Sequence, residues 1–166
     1  MKTADVSKIT GTIAWGTTPA LAQSPSTTAA RQERNMNEIN INIAKTYIEA
    51  VQTGDQATLG SIISPDVIWH QPGRNRFSGT HRGMANVGPM LGAMMEVSKG
   101  TFAITRAEHY MASGEWVAIT VEFAGEANGI KLKQAGVDLI RIHDGKIVEV
   151  RLFSGDQAQE DAFWGQ

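Results

Sequence analysis

One stretch, Val137 to Phe153, constrains this chain more than any other. Two alternating apolar runs, Val137-Asp138-Leu139-Ile140-Arg141-Ile142-His143 and Lys146-Ile147-Val148-Glu149-Val150-Arg151-Leu152-Phe153, flank Asp144-Gly145. Asp-Gly between alternating runs is the strongest short-range hairpin signal, because a type I′ turn needs positive φ at both central residues. Counting outward from the turn pairs His143 with Lys146, Ile142 with Ile147, Ile140 with Glu149 and Asp138 with Arg151. The strand period of two then puts Asp138, Ile140 and Ile142 on one face with Ile147, Glu149 and Arg151. That face sets a carboxylate against branched apolar residues, where desolvation raises a carboxyl pKa and opens the way to proton chemistry. A structural Asp138–Arg151 cross-strand ion pair is the plainer reading, and the hairpin alone favours it.

The 166-residue chain is long enough for one domain with a real core. A formal net charge of −2 and the lack of a basic stripe offer nothing to nucleic acid or to an anionic membrane. No apolar run is long enough to cross a bilayer. With no cysteine, disulfides, cysteine–zinc sites and thiol catalysis are excluded. There is no Gly-x-Ser-x-Gly elbow, phosphate loop or dinucleotide fingerprint, so no cofactor is expected.

Residues 1–34 read as a low-complexity tail or degenerate signal segment ahead of a domain spanning residues 35–166. Ala20-Leu21-Ala22 resembles a signal-peptidase site, but Asp5, Lys8 and several threonines interrupt the segment before it, and Gly11, Gly16 and Pro19 break it. A cytoplasmic chain is the favoured expectation, with export the alternative if that site is cleaved.

Ile39, Ile43, Tyr47, Ile48 and Val51 recur at helical spacing and predict a first helix stopped by Gly54. Asp55 is placed to cap a second short helix carrying Leu59, Ile62 and Ile63 and ended by Pro65. Val67–His70 is a short strand before a loop, and Gly83 to Val97 a third helix in which Pro89 forces a kink or marks the first turn. After Gly100 the period changes to two, predicting strands over 101–109, 115–123, 130–142 and 146–153. Helices first and a meander after imply an α+β fold, a curved antiparallel sheet against segregated helices. Phe163 and Trp164 should bring the tail back onto the body.

None of His70, His81, His109 and His143 has helical metal-ligand spacing, and no metal site is expected. His70 is the most interesting, since it leads into Gln71-Pro72-Gly73; a hydrogen-bonded strand-end residue is its bland alternative. Met84, Met90, Met94 and Met95 line an adaptable apolar pocket or, more often for such a stripe, plain core. Tyr47 buries its ring beside Ile43 and Val51 and needs a partner for its hydroxyl.

Tyr47-Ile48-Glu49-Ala50-Val51-Gln52-Thr53-Gly54-Asp55, Pro65 through Gly73, Gly79-Thr80-His81-Arg82-Gly83 and Asp138 through Arg151 follow one another in a familiar order. The chain resembles the SnoaL-like polyketide cyclases and ketosteroid-isomerase-like proteins of the nuclear-transport-factor-2-like superfamily, over roughly residues 37–153. The resemblance implies a cone: three N-terminal helices over a strongly curved sheet, enclosing an apolar cavity. It matches Tyr47 to a tyrosine that donates to a developing oxyanion, and Asp138 to an aspartic acid that stays protonated and donates beside it. The family's catalytic aspartate precedes a proline, whereas Gln71 precedes Pro72 here, and glutamine is no proton acceptor. His70 or His81 is the candidate replacement base.

Two functions follow from this resemblance. One is a cofactor-free isomerase, lyase or cyclase acting by proton transfer on an apolar carbonyl-bearing small molecule, with Tyr47, Asp138, His70 and His81 as catalytic candidates. The other is a non-catalytic small-molecule binder. Substrate contacts are expected from Trp69, Gln71, Met90, Met94, Ile140, Arg151, Phe163 and Trp164. Val137, Leu139 and Arg141, joined by Val148, Val150 and Leu152, predict an apolar outer sheet face suited to a homodimer.

Overall fold

The structure, a computed structural model, describes residues 27–166; Ala20-Leu21-Ala22 lies outside them. The first helix, α1 (Thr27–Thr53), extends N-terminal to the apolar stripe that predicts it, which opens at Ile39. Its added turns, Thr27 to Arg34, are almost wholly exposed. Ala29, Ala30, Arg31, Gln32, Glu33 and Arg34 are good helix formers, and that propensity extends the helix beyond its apolar stripe. Gly54, at φ +71°, ends α1. The Asp55 amide bonds back to Ala50 O at 2.9 Å and the Gly54 amide to Val51 O at 3.4 Å, a Schellman closure. Asp55 then caps α2 (Gln56–Ile62) by accepting from the Thr58 amide.

Ile63 already belongs to β1 (Ile63–Gln71), longer than the expected four residues. Pro65 falls where the pairing of β1 is irregular, between Ile63 and Ile68, so its missing amide costs no ladder bond there. The short β2 (Gly79–Arg82) was not expected; its residues are polar and mostly exposed, with no alternation to reveal it. Next, α3 (Met84–Val97) starts on Gly83 at φ +76° and carries Pro89 within its body rather than at its first turn. Four long strands follow, β3 (Ala103–Ser113), β4 (Trp116–Ala127), β5 (Ile130–His143) and β6 (Lys146–Ser154), then α4 (Gln157–Trp164). The β5–β6 turn has φ of 49° at Asp144 and 74° at Gly145, the geometry that Asp-Gly favours.

The six strands form one sheet in the order β2-β1-β6-β5-β4-β3. All neighbours are antiparallel except β1 and β6, which run parallel. This corrects the expectation of a purely antiparallel sheet: β6 returns beside the strand that left the helices. α1 lies on β3 and β4, α3 on β1 and β2, and α4 on β4, β5 and β6, around one core that includes Tyr47, Trp69, Ile119, Ile140, Val150 and Trp164.

The expected hairpin register holds only next to the turn. His143 faces Lys146 and Ile142 faces Ile147, but Arg141 then faces Glu149, Ile140 faces Val150 and Asp138 faces Leu152. Val148 is the extra residue of a β-bulge, and it flips every later β6 side chain. Val150 and Leu152 turn to the helix side, and Glu149, Arg151 and Phe153 to the outer side. The Asp138–Arg151 pair therefore does not form. The outer face, expected to be apolar, presents Glu149 and Arg151 among Val137, Leu139 and Phe153.

Gly136 allows β5 and β6 to close up. A Cβ there would stand 2.5 Å from Phe153 O and 2.9 Å from the Phe123 ring. Gly136→Ala should destabilise the fold by about 1–3 kcal/mol through overpacking. Gly60→Ala, in helical backbone with open space around it, should instead stabilise by about 0.5–1 kcal/mol. Urea denaturation midpoints of the two variants check this opposite response.

Candidate functional site

The site is built on the helix-facing side of the sheet. Ile119, Asp138 and Leu152 lie side by side on β4, β5 and β6. Continuing the β1–β6 register brings Gln71 level with Leu152 on the far side. From above, α1 lowers Tyr47 into the core. Tyr47 is 3 % and Asp138 7 % exposed. Burial, reinforced by the neighbouring Glu160 carboxylate, raises the Asp138 carboxyl to about 7. Burial first, and the Asp138 charge second, push the Tyr47 phenol well above its ordinary value. Among the described residues, no side chain or backbone group hydrogen-bonds the Tyr47 hydroxyl or the Asp138 carboxyl. The fully buried side-chain polar atoms without a partner among the described residues, Asn37 Oδ1 and Gln134 Nε2, belong to other residues. The Tyr47 and Asp138 polar atoms are instead free of protein partners on largely buried side chains, and a ligand atom is one way to satisfy them.

Glu160 is the residue that the sequence reading missed. Asp156 caps α4 by accepting from the Gln159 amide, and the helix turns Glu160, Phe163 and Trp164 inward. Glu160 is 3 % exposed. It accepts from Trp164 Nε1 at 3.1 Å, Gln157 Nε2 at 3.3 Å, Gln71 Nε2 at 3.5 Å, and Ser154 Oγ. Gln71 Oε1 in turn accepts from Trp69 Nε1 at 3.2 Å. The i+3, i+4 spacing to Phe163 and Trp164 was the available signal. Trp164 sits edge-on to Phe163, Phe102 and Phe77, with ring centroids 4.6, 4.8 and 5.4 Å away. Met90 and Met94 of α3 and Ile140 of β5 are buried in the same core.

Two expected members stand elsewhere. His70 points to the outer face, with Nε2 3.0 Å from Glu149 Oε1 and Nδ1 3.1 Å from Thr80 Oγ1. Period two along β1 sends it opposite to Trp69 and Gln71. Arg151 is outside too, 2.7 Å from Glu149, because of the bulge. Burial works against the Glu149 charge, but hydrogen bonds from Arg151, His70 and Arg141 outweigh it and hold Glu149 below the usual carboxylate range. His81 is the register partner of Trp69 and so shares its face. Its Nε2 donates to Phe77 O at 2.9 Å, leaving Nδ1 as the acceptor of the neutral ring. A groove of about 410 Å³ opens on the outer side, lined by residues such as Arg106, Glu108, Glu122, Val137 and Phe153. Among the described residues no three His, Asp or Glu side chains cluster as a metal site.

The raised Asp138 carboxyl links folding to pH. Between the ordinary aspartate range and about 7, the folded chain holds a proton that the unfolded chain has lost. Asp138 therefore contributes stability that is fully present below the unfolded pKa and lost as pH rises through about 7. Wild type should lose stability relative to Asp138→Asn between pH 4 and 8, by at most ~4 kcal/mol. Paired urea titrations across that range check the sign.

A family model described as a SnoaL-like domain matches residues 44–150. A crystallised protein of unknown function with a cystatin-like fold, from Xanthomonas campestris, is 80% identical over 76% of this chain and 98% of its own, at a TM-score of 0.75. Bal32a, from a soil-derived mobile gene cassette, is 25% identical over 79% of this chain and all of its own, also at 0.75. A candidate polyketide cyclase of Xanthomonas campestris pv. campestris shares the fold at 17% identity, over 78% of this chain and 98% of its own, with a TM-score of 0.59. With the family match spanning the C-terminal third of α1, all of α2 and α3 and most of the sheet, the chain belongs to the SnoaL-like family, with a nuclear-transport-factor-2-like fold.

Proposed function

We propose that the protein is a cofactor-free enzyme of the isomerase, lyase or cyclase type, which binds an apolar small molecule and polarises its carbonyl oxygen between Tyr47 and Asp138. The observation that carries this reading is the pairing of two buried hydroxyl-type groups with no protein partner. A phenol and a neutral carboxyl both donate. Donors fixed in a dry site stabilise an enolate oxygen far more than water-exposed ones, each being worth about 10²–10³ in rate. Trp69, Met90, Met94, Ile140, Phe163 and Trp164 supply apolar walls, and the methionines adapt to ligand shape.

Gln71 cannot take a proton, and His70 is engaged on the far face. His81 is the base that the reading retains, since it shares the Trp69 face and offers Nδ1. Likeness of fold to a candidate polyketide cyclase suits a carbonyl substrate. A second reading, a binder without chemistry, is favoured by one observation: Gln71, where the family carries its base, is tied between Trp69 and Glu160.

The test uses 2-tetralone, an enolisable apolar ketone, and 2-naphthol, whose flat rings and acidic oxygen imitate its enol. Wild type should accelerate deuterium exchange at the tetralone α-carbons, followed by proton NMR. Tyr47→Phe should reduce that rate about 10²–10³-fold, and His81→Ala about 10²–10⁴-fold. Naphthol binding should weaken in Tyr47→Phe and Asp138→Asn but not in His81→Ala. Binding without exchange would establish the binder; failure of both would end the carbonyl-site reading.

A further inference from the structure

We propose that Glu160 is a positioning residue: a buried carboxylate clamped beside Asp138 that steers the proton of the pair onto Asp138 and so makes Asp138 the donor of the site. The inference rests on the Tyr47–Asp138 reading and deepens it by assigning α4 a part in the chemistry.

Strand register fixes the placement. Ser154 faces Gly136, and Leu152 faces Asp138, so Ser154 is a diagonal neighbour of Asp138 on the helix-facing side. Ser154 Oγ donates to Glu160 Oε2. Gln71, beyond Leu152, donates to Oε1 at 3.5 Å. Trp164 Nε1 and Gln157 Nε2 complete the clamp at 3.1 and 3.3 Å. Glu160 thus hangs over the Asp138 row, held from β1, β6 and α4 together.

The chemistry of the four donors decides which carboxyl is charged. An indole N–H and two amide NH₂ groups can only donate at these contacts, so they match an ionised carboxylate and leave no place for a Glu160 proton on Oε1. Asp138 has no such donors among the described residues. No lysine or arginine among the described residues bonds to Glu160, so its charge acts undiminished on its neighbour. Two carboxyls in one desolvated pocket do not both ionise, and the proton settles on the member with fewer donors. The groups facing Asp138 from the packed elements are then Tyr47 on α1 and Glu160 on α4.

A merely structural role, tying α4 to the sheet, is separable by Glu160→Gln. The Ser154 hydroxyl can turn to accept from the new amide, and Trp164 and Gln71 still donate to its oxygen, so three of the four clamp contacts survive while the charge goes; Gln157 stays held by Asp161. Carboxyl-carbon NMR titration should place the wild-type Asp138 midpoint near 7. In Glu160→Gln it should fall by about one pH unit or more, and the alkaline limit of 2-naphthol binding should fall with it. Gln157→Met, on the helix's partly exposed first turn, removes one donor but keeps the charge, and should move part of the titrating proton onto Glu160, read as a smaller Asp138 signal change and a larger Glu160 one. An unmoved Asp138 midpoint in Glu160→Gln, or wild-type spectra at pH 6 showing the proton on Glu160, would overturn the inference. The titration does not need naphthol: no binding with a shifted midpoint would refute the carbonyl reading alone, and binding with an unmoved midpoint would refute this inference alone.

Discussion

Asp138 lacks a counter-ion because β6 carries one residue too many. Without the bulge at Val148, the register leaving the Asp144-Gly145 turn would set Arg151 against Asp138, and the arginine would hold the acid ionised. The extra residue turns Arg151 and Glu149 outward and brings Val150 and Leu152 in. Charge is thereby sorted across the sheet. On the outer side Glu149 meets Arg151, Arg141 and His70 and stays ionised. On the inner side Asp138 meets Ile119 and Leu152. Keeping an unpaired carboxylate charged there would cost several kcal/mol, and taking up a proton avoids most of that cost.

The rest of the site follows from how the helices reach this point. The Gly54–Asp55 junction ends α1 and starts α2 with no intervening loop, which fixes the register of Tyr47 over the sheet. α4 reaches the same region from the other end of the chain, and two close approaches allow it. Gly125 admits the Phe163 ring, which would lie 3.1 Å from any Cβ there, and Gly73 admits Asp161 and Gln157. Asp161 Oδ1 then accepts from the Arg74 amide at 2.9 Å and from Asn75 Nδ2 at 2.9 Å, locking α4 to the loop after β1. Glu160, one residue earlier, is aimed inward by that lock.

Much of this is legible in the chain. Turn chemistry reveals the Asp144-Gly145 hairpin, the Gly54 stop and the Asp55 cap, because each depends on one residue's backbone or side chain. Strand periodicity alone sends His70 to the face opposite Trp69 and Gln71. The bulge is not legible: Val148-Glu149 carries no glycine, and a one-residue slip leaves the alternation intact on either side of it. Nor is β2, whose Gly-Thr-His-Arg has no apolar face and exists because β1 offers it an edge. Glu160 is readable from its spacing to Phe163 and Trp164, but a glutamate is ordinarily assigned to solvent, and only the donors from β1, β6 and α4 make its burial tolerable.

The central claim is that Tyr47 and Asp138 together hold a ligand oxygen inside the cone. A crystal structure of the protein with 2-naphthol at pH 6 tests it most directly. The account predicts the naphthol oxygen within about 2.5–3.0 Å of both the Tyr47 hydroxyl and an Asp138 carboxyl oxygen, with the rings against Met90, Met94 and Trp69. Naphthol seated only in the outer groove beside Val137 and Phe153, or inside the cone with its oxygen on neither residue, would contradict it.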